Sequence, residues 1–240
     1  MPLSPKSMKF FEKVEIGDCQ LYLGDCREIL DHLADVDAVL SDPPYGIGYC
    51  HGARRGGRRM GTDGLTIAGD DEPFDPTPFL RWPCILWGAE HFRTRLPDGG
   101  RWLVWNKRRP HVVRDQACIE NAWCSNPGVA RIFHHVWDGA DCQSERGERV
   151  HSNQKPVELL SWCLGFLPDA HCIFDPFMGS GTTGVACVKA GRKFIGVEID
   201  PHYFDVACSR IERALAQPDM FVQAPPPKAE QLDMLKVTDA

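Results

Sequence analysis

One segment of this chain, from His171 to Glu198, constrains the fold more strongly than any other. Its apolar start, His171–Phe174, predicts a buried strand, and a glycine-rich run then leads into a helical pattern at Val185–Lys189. A second apolar strand, Lys193–Val197, ends at Glu198, about 20 residues beyond the glycines. A strand, a glycine-rich turn, a helix and an acid after the next strand form the layout of a cofactor site in a doubly wound sheet. We therefore predict an α/β fold built on a mostly parallel sheet.

The glycine-rich turn supplies most of the predicted cofactor residues. Gly179 and Gly181 carry no side chain where the backbone must approach a ligand closely or adopt a positive φ. Glu198 suits the two hydroxyls of a ribose. The two threonines at the helix start have an alternative interpretation, in which they only cap the helix. The candidates from this segment are Asp175, Phe177, Gly179, Ser180, Gly181, Thr182, Thr183 and Glu198.

A second motif, Asp42-Pro43-Pro44-Tyr45, directly follows the apolar run Asp37–Leu40. It places an acid and an aromatic ring at the carboxyl end of a predicted buried strand, where open α/β sheets bind ligands. The two prolines fix two φ angles and supply carbonyls without N–H donors. The turn therefore offers hydrogen-bond acceptors beside a flat stacking surface, which suits a planar amino group such as the exocyclic amine of a nucleobase. The alternatives are a turn that Asp42 merely caps and a Tyr45 ring that packs in the core.

Together the two motifs resemble the amino-methyltransferases of DNA, which use S-adenosyl-L-methionine. The tetrapeptide precedes the glycine-rich turn, and this circularly permuted order resembles the β class of that family. His151–Pro156 resembles the segment that opens the helix before the cofactor strand. Leu21–Cys26 resembles the strand end whose acid meets the adenine of the cofactor. The resemblance covers about residues 15–50 and 150–215 and implies a Rossmann-like fold.

The resemblance also implies roles for individual residues. Methyl transfer is direct, and the target base must be flipped out of the duplex to reach the enzyme. His151 and Asn153 stay open as site residues. The implied catalytic residues are Asp42, Pro43, Pro44 and Tyr45, and the residues added to the cofactor site are Asp25, Asp42 and Lys155.

The first letter of the tetrapeptide bears on which base is methylated. Adenine-N6 enzymes of the family mostly have Asp there and cytosine-N4 enzymes mostly Ser, so Asp42 favours adenine although Ser41 precedes it. Cytosine-N4 methylation is the first alternative. A glutamine-N5 protein methyltransferase is less favoured, because those enzymes begin the motif with Asn and place it after the cofactor glycines. A catalytically idle DNA-binding relative is the alternative from another functional class.

The distribution of charge is compatible with double-stranded DNA as partner, although the net charge of −6 is unfavourable for it. Two basic runs lack acids, one between residues 51 and 60 and one between residues 101 and 114. The alternative is that these runs are only solvated faces. The second run includes Leu103–Lys107, a segment that resembles the family more loosely, as does Glu120–Trp123. The predicted DNA contacts are Arg54, Arg55, Arg58, Arg59, Lys107, Arg108 and Arg109.

We predict one methyltransferase domain over residues 1–216 and a disordered tail over 217–240. Within the domain, residues 46–78 form a predicted mobile loop, and residues 124–150 form a short target-recognition segment, the small insertion expected for DNA recognition. Further predicted elements are a helix at Arg27–Leu33 and another beginning at Ala89.

Composition excludes several other classes. No apolar run reaches the roughly 18 residues of a membrane span. The eleven cysteines are odd in number and include no Cys-x-x-Cys pair, which argues against a disulfide framework and for a reducing cytoplasm. No residue spacing suggests a metal site. The sequence leaves open the oligomeric state, with a homodimer as one alternative, and whether a restriction nuclease accompanies the enzyme.

Overall fold

The computed structural model describes residues 12–33, 35–47, 54–55, 58–59, 69–109, 117–138, 141–144 and 154–217. His151, Asn153, most of the predicted loop 46–78 and the tail after Gln217 lie outside these residues. Within the described part, thirteen strands and three α-helices form the fold. The strands are β1 Glu12–Ile16, β2 Cys19–Leu23, β3 Ala38–Ser41, β4 Arg54–Arg55, β5 Arg58–Arg59, β6 Cys84–Trp87, β7 Arg101–Asn106, β8 Ile119–Cys124, β9 Arg131–His134, β10 Trp137–Asp138, β11 Asp141–Cys142, β12 Cys172–Asp175 and β13 Lys193–Glu198. The helices are α1 Val157–Leu164, α2 Thr182–Lys189 and α3 Pro201–Ala216.

Nine of these strands form one sheet in the order β1-β2-β13-β12-β3-β6-β8-β7-β9. The five adjacent strands β2, β13, β12, β3 and β6 are parallel to one another, while β1 and β8 are antiparallel to their neighbours. The central strands β12, β3 and β6 are buried at every position, as expected for parallel strands covered on both faces. This confirms the predicted α/β class with a mostly parallel, Rossmann-like sheet.

The two faces of the sheet are covered differently. The three helices share a core with one face, where Leu40, Ile85 and Ile173 point toward residues of α1, α2 and α3. On the other face, Val39 and Phe174 pack with Phe74 and other aromatic side chains from short turns. Helices therefore cover one side, and a thinner layer of turns and aromatic rings covers the other.

The predicted helices at Arg27–Leu33 and from Ala89 are wrong. Each segment forms two short 3₁₀ turns, Cys26–Glu28 with Leu30–His32 and Ala89–His91 with Arg93–Arg95. The buried positions explain this. Cys26 and Ile29 are three residues apart, as are Ala89 and Phe92, and a three-residue repeat matches the 3₁₀ turn.

One edge of the sheet collects the ends of many strands. The parallel strands β2, β13, β12, β3 and β6 all end there, and the reversed strand β8 begins there. Strand β7 is antiparallel to β8 and so ends at the same edge. Residues that are distant in sequence, such as Asp42, Lys107, Glu120 and Asp175, are therefore brought to one edge.

Within the described segments, none of the helices has the length and apolar character needed to cross a membrane. The cysteines whose side chains the structure describes are free thiols: Cys19, Cys26, Cys84, Cys118, Cys124, Cys163, Cys172, Cys187 and Cys208. The same segments contain no group of three or more His, Cys, Asp or Glu residues arranged to hold a metal ion.

Candidate active site

The Asp42 turn follows the last residue of β3, Ser41, at the edge of the sheet. Both oxygens of the Asp42 carboxylate accept hydrogen bonds from the chain itself. The Tyr45 hydroxyl donates to Oδ1 at 2.6 Å, and the Lys155 ammonium donates to Oδ2 at 2.5 Å. The carboxylate is 27 % exposed, so a ligand at this edge can reach it. The Asp42 carboxylate is therefore held by two side chains while part of it stays open to solvent.

Lys155 is the hub of a buried ion network. Besides its hydrogen bond to Asp42, its Nζ lies 3.1 Å from Glu120 Oε2. Lys107 in turn donates a hydrogen bond to Glu120 Oε1. Burial alone would lower the pKa of Lys155, but the carboxylates of Asp42 and Glu120 raise it well above its usual value. Burial alone would raise the pKa of Glu120, but the ammonium groups of Lys155 and Lys107 lower it to about 2. The Lys155 ammonium and the Glu120 carboxylate thus remain ionised beside one another.

The Tyr45 ring lies between neighbouring turns rather than in the core. It stacks on His91 with ring centroids 4.9 Å apart and planes 17° apart. Burial and the nearby Asp42 carboxylate raise the pKa of Tyr45, so its phenol stays neutral and donates a hydrogen bond. Gly88, which has φ +68°, leaves the space that this ring occupies, because a Cβ there would lie 1.9 Å from Tyr45 Cε1.

Gly88→Ala is expected to displace Tyr45 and to destabilise the protein by about 1–3 kcal/mol, the usual cost of overpacking. We expect the methyl transfer that the sequence resemblance implies to fall as well, because the ring loses its position beside Asp42. Gly99→Ala is the matched control, since Gly99 also has a positive φ but its added Cβ meets nothing within 4 Å. Urea unfolding and activity of both variants measure the effect. Equal losses in the two would assign the effect to backbone strain and not to Tyr45.

The glycine-rich turn begins at Asp175, whose carboxylate joins it to the Asp42 turn. Oδ1 accepts from the Ser41 hydroxyl at 2.6 Å and from the Phe177 amide at 3.1 Å, and Oδ2 accepts from the Thr183 hydroxyl at 2.6 Å. Burial raises the pKa of Asp175 to about 6 despite these donors. The two turns are thus held together by one buried carboxylate.

Glu198 lies at the end of β13 and contacts the same turn. Its Oε2 accepts from the Gly179 amide at 2.8 Å, and its Oε1 accepts from the Asp200 amide at 2.8 Å. Burial raises the pKa of Glu198, with the backbone amides opposing it. Gly179 has φ +50° and a Cβ there would meet nothing, so open space borders the turn next to Glu198. A carboxylate with free lone pairs beside a bare backbone fits a nucleoside with two ribose hydroxyls.

The remaining residues of the turn are fixed by α3. Arg210 is buried, and its Nη1 donates to the Ser180 carbonyl at 2.7 Å, to the Ser180 hydroxyl at 3.0 Å and to the Thr182 hydroxyl at 3.1 Å. Gly181 approaches α3 closely, since a Cβ there would lie 2.8 Å from Ala207 Cβ. Neither threonine side chain makes a capping bond to α2, because one binds Arg210 and the other binds Asp175.

Two predicted cofactor residues contact other parts of the protein. The Asp25 carboxylate binds the Arg27 side chain and accepts from its amide at 2.9 Å, and the Arg27 hydrogen bond lowers the pKa of Asp25. The Phe177 ring is partly buried and packs edge-on against Phe74 at 5.7 Å and Phe79 at 5.8 Å. Asp25 still lies at the edge beside Glu198, because the strands β2 and β13 are paired there.

The predicted DNA contacts are dispersed. Arg54, Arg55, Arg58 and Arg59 form the two-stranded pair β4–β5, and their side chains are outside the described part of the chain. Lys107 is engaged with Glu120, Arg108 is buried and Arg109 is exposed.

Sequence reasoning missed four residues that the fold brings to this site: Ser41, His91, Glu120 and Arg210. For Glu120 a signal was present, because an acid near the start of a strand that is otherwise mostly apolar or buried marks a position that needs a partner. No local pattern identifies the partners themselves, since they come from other strands and helices.

Comparison with known proteins places the fold among methylases of DNA. Residues 114–209 match the N6_N4_Mtase family model, described as DNA methylase. The type II methyltransferase M.HinfI of Haemophilus influenzae is 25 % identical, with the match covering 89 % of this chain and 75 % of that protein. Two solved structures share the fold. PvuII DNA methyltransferase, a cytosine-N4-specific enzyme, has a TM-score of 0.55 at 15 % identity, covering 84 % of this chain and 89 % of its own. The M1.HpyAVI–SAM complex has a TM-score of 0.50 at 20 % identity, covering 80 % of this chain and 98 % of its own.

Proposed function

Because this chain is related to the DNA methylases of the N6/N4 family, we propose that it transfers a methyl group from S-adenosylmethionine to the exocyclic N6 of an adenine flipped out of duplex DNA. One observation carries the proposal. The Asp42 turn and the glycine-rich turn lie at adjacent strand ends, joined through the Ser41–Asp175 hydrogen bond of 2.6 Å. An acceptor site for an amino group thus lies next to a turn suited to a nucleoside cofactor.

The cofactor residues in this proposal are those of the second turn and the neighbouring strand ends. When bound, S-adenosylmethionine supplies an electrophilic methyl group on a sulfonium sulfur. Glu198 would hold the ribose hydroxyls and Asp25 the adenine end, with Asp42 and Lys155 bordering the same site. The turn residues that would surround the cofactor are Asp175, Phe177, Gly179, Ser180, Gly181, Thr182 and Thr183.

The reaction needs a better nucleophile than a free nucleobase amine, whose lone pair is delocalised into the ring. Asp42 and the Pro43 carbonyl would accept both N–H groups and help the nitrogen become pyramidal, which is stabilisation aimed at the transition state. Pro44 keeps the turn rigid. Tyr45 would stack on the flipped base, worth about 1–3 kcal/mol, and so offset part of the unstacking cost. For this, the target amino group replaces the Tyr45 hydroxyl at Asp42 Oδ1.

The DNA surface in this proposal includes both basic runs. The exposed Arg109 and the β4–β5 pair, with Arg54, Arg55, Arg58 and Arg59, would contact phosphates, while Lys107 and Arg108 would act from the edge of the site. Residues 124–150 and the loop 46–78 would share recognition of the target sequence.

Cytosine-N4 methylation is the second candidate, favoured by the shared fold of the cytosine-N4-specific PvuII enzyme. Asp42 supports adenine, since its side chain is the acceptor that faces the edge, whereas the Ser41 hydroxyl is bound to Asp175. The two candidates use the same residues and differ in the base that enters.

Expression in a host without DNA methylation, followed by sequencing that reads modified bases directly, tests the proposal. We expect N6-methyladenine within one short motif, and none with Asp42→Ala. N4-methylcytosine would keep the mechanism but overturn the base. Folded protein that binds S-adenosylmethionine but modifies no DNA would support a catalytically idle relative.

A further inference from the structure

The Glu120 carboxylate lies between two ammonium groups at the edge of the sheet, and neither the tetrapeptide nor the glycine-rich turn includes it. We propose that Glu120 is a positioning residue for methyl transfer, which holds the Lys155 ammonium on Asp42 Oδ2 and thereby fixes the orientation of the Asp42 carboxylate. The inference rests on the proposed function for its catalytic part.

The geometry of the Lys155 ammonium supports this role. Its Nζ donates hydrogen bonds to Asp42 Oδ2 at 2.5 Å and to the Tyr45 hydroxyl at 3.5 Å, and it forms an ion pair with Glu120 Oε2 at 3.1 Å, an oxygen that accepts no hydrogen bond from the described residues. These partners come from the turn after β3 and from β8, while Lys155 itself precedes α1. Without Glu120 the flexible lysine side chain would lose one of the two carboxylates that hold it in place.

Because Lys155 is buried, its charge needs carboxylate partners within the protein. The Lys155 side chain is 9 % exposed, and its charge is balanced by two carboxylates, one of which also binds Lys107. The network therefore contains as many ammonium groups as carboxylates. Glu120→Gln would leave two ammonium groups facing one carboxylate.

The function of the arrangement follows from the two oxygens of Asp42. Lys155 occupies Oδ2, so the carboxylate cannot rotate freely and Oδ1 remains directed at Tyr45. Oδ1 is then the oxygen at which the target amino group would replace the Tyr45 hydroxyl. Glu120 thus acts on the reacting nitrogen through Lys155 and Asp42, without contacting it.

The charged and titratable groups around Lys155 set the expected pH dependence. They are Asp42 and Tyr45 after β3, Glu120 on β8, Lys107 after β7, and Asp175 on β12 beyond Asp42. Because its folded pKa is raised, Lys155 stabilises the protein fully below the unfolded value of about 10.4, and this is lost as pH rises through the folded pKa. Removing one of its two anions lowers the folded pKa, so Lys155 of the variant contributes less stability near neutral pH and loses its proton at lower pH in the folded protein.

The test compares Glu120→Gln with the wild-type protein in two measurements. In urea unfolding between about pH 3 and about pH 8, the variant is expected to be less stable than the wild type near neutral pH, and the difference should shrink as pH falls below the unfolded value of about 4.3 toward the folded value of about 2, because wild-type Glu120 then becomes protonated. In single-turnover methylation between about pH 7 and about pH 10, the variant rate is expected to decline at lower pH than the wild-type rate, because Lys155 must stay charged to hold Asp42. Glu158→Gln is the control, since Glu158 is exposed and pairs with His135, and it should follow the wild type in both.

The two measurements separate the inference from the proposed function. Unfolding does not require methylation, so a stability difference that shrinks at acid pH establishes the charge coupling of Glu120 to its ammonium partners even in a protein that methylates nothing. Such a difference with an unshifted rate profile would overturn the positioning role. A stability difference that did not change with pH would overturn the coupling itself.

Discussion

Asp42→Ala is expected to slow methyl transfer at least about 10²–10³-fold, the usual cost of removing one preorganised group that acts on the transition state. The variant loses Oδ1, at which the proposed target amino group would replace the Tyr45 hydroxyl, and Oδ2, which binds Lys155. Lys155 keeps Glu120 as a partner, so the protein should still fold. Single-turnover rates on DNA that contains the target motif measure the loss, and calorimetric titration measures binding of S-adenosylmethionine.

Two further variants sharpen the interpretation. Asp42→Asn keeps one acceptor oxygen and should lie between the wild type and Asp42→Ala in rate. Asp98→Ala removes an exposed acid from the opposite edge of the sheet, before β7, and should leave the rate unchanged. If Asp42→Ala weakened cofactor binding as much as it slowed the reaction, Asp42 would be a cofactor residue rather than a catalytic one.

The parts of the fold that the sequence predicted correctly are those that local chemistry determines. Gly181, at φ +77°, immediately precedes α2, which follows β12 after the turn of residues 176–181. Prolines follow β3 where the chain leaves the sheet. The apolar strands β12 and β13 bracket that helix as their patterns indicate. Such signals depend on neighbouring residues only, and they also carried the family resemblance, with which the family model agrees over residues 114–209.

The elements that were predicted wrongly are those whose conformation depends on how they pack against the sheet. Cys26 with Ile29 and Ala89 with Phe92 have the spacing of a short helical stripe, and only the shallow layer on that face of the sheet limits them to 3₁₀ turns. β1 was missed for a related reason. It lies at the edge of the sheet, and its partly exposed residues lack a clear apolar pattern.

The candidate site divides in the same way. Asp42, Asp175 and Glu198 could be predicted because each ends an apolar strand. The pairing of Lys155 with Asp42 and Glu120 could not, because it requires β3 and β8 to lie on either side of β6 and α1 to begin above them. Lys155 was predicted from the family resemblance as a cofactor residue, whereas its described contacts are with the Asp42 turn and Glu120.

Lys155→Met is expected to destabilise the protein by about 3–5 kcal/mol near pH 8, because it leaves the Asp42 and Glu120 carboxylates partly buried without their shared cation. The loss should shrink toward about pH 5. In the variant, burial raises the pKa of Glu120 with only Lys107 opposing it, so protonation then relieves the unpaired charge. Urea unfolding at both pH values measures the difference, with the exposed Lys189→Met as the control.

A double variant identifies the cause of that loss. Adding Glu120→Gln to Lys155→Met removes one of the stranded carboxylates, so part of the lost stability should return, and the two substitutions should be non-additive. If stability instead fell further by the full cost of each single change, the loss would come from packing of the lysine stem rather than from unpaired charge. Recovery would show that the carboxylates and ammonium groups at this edge balance one another's charge, so that removing one charge from the network is offset by removing its opposite.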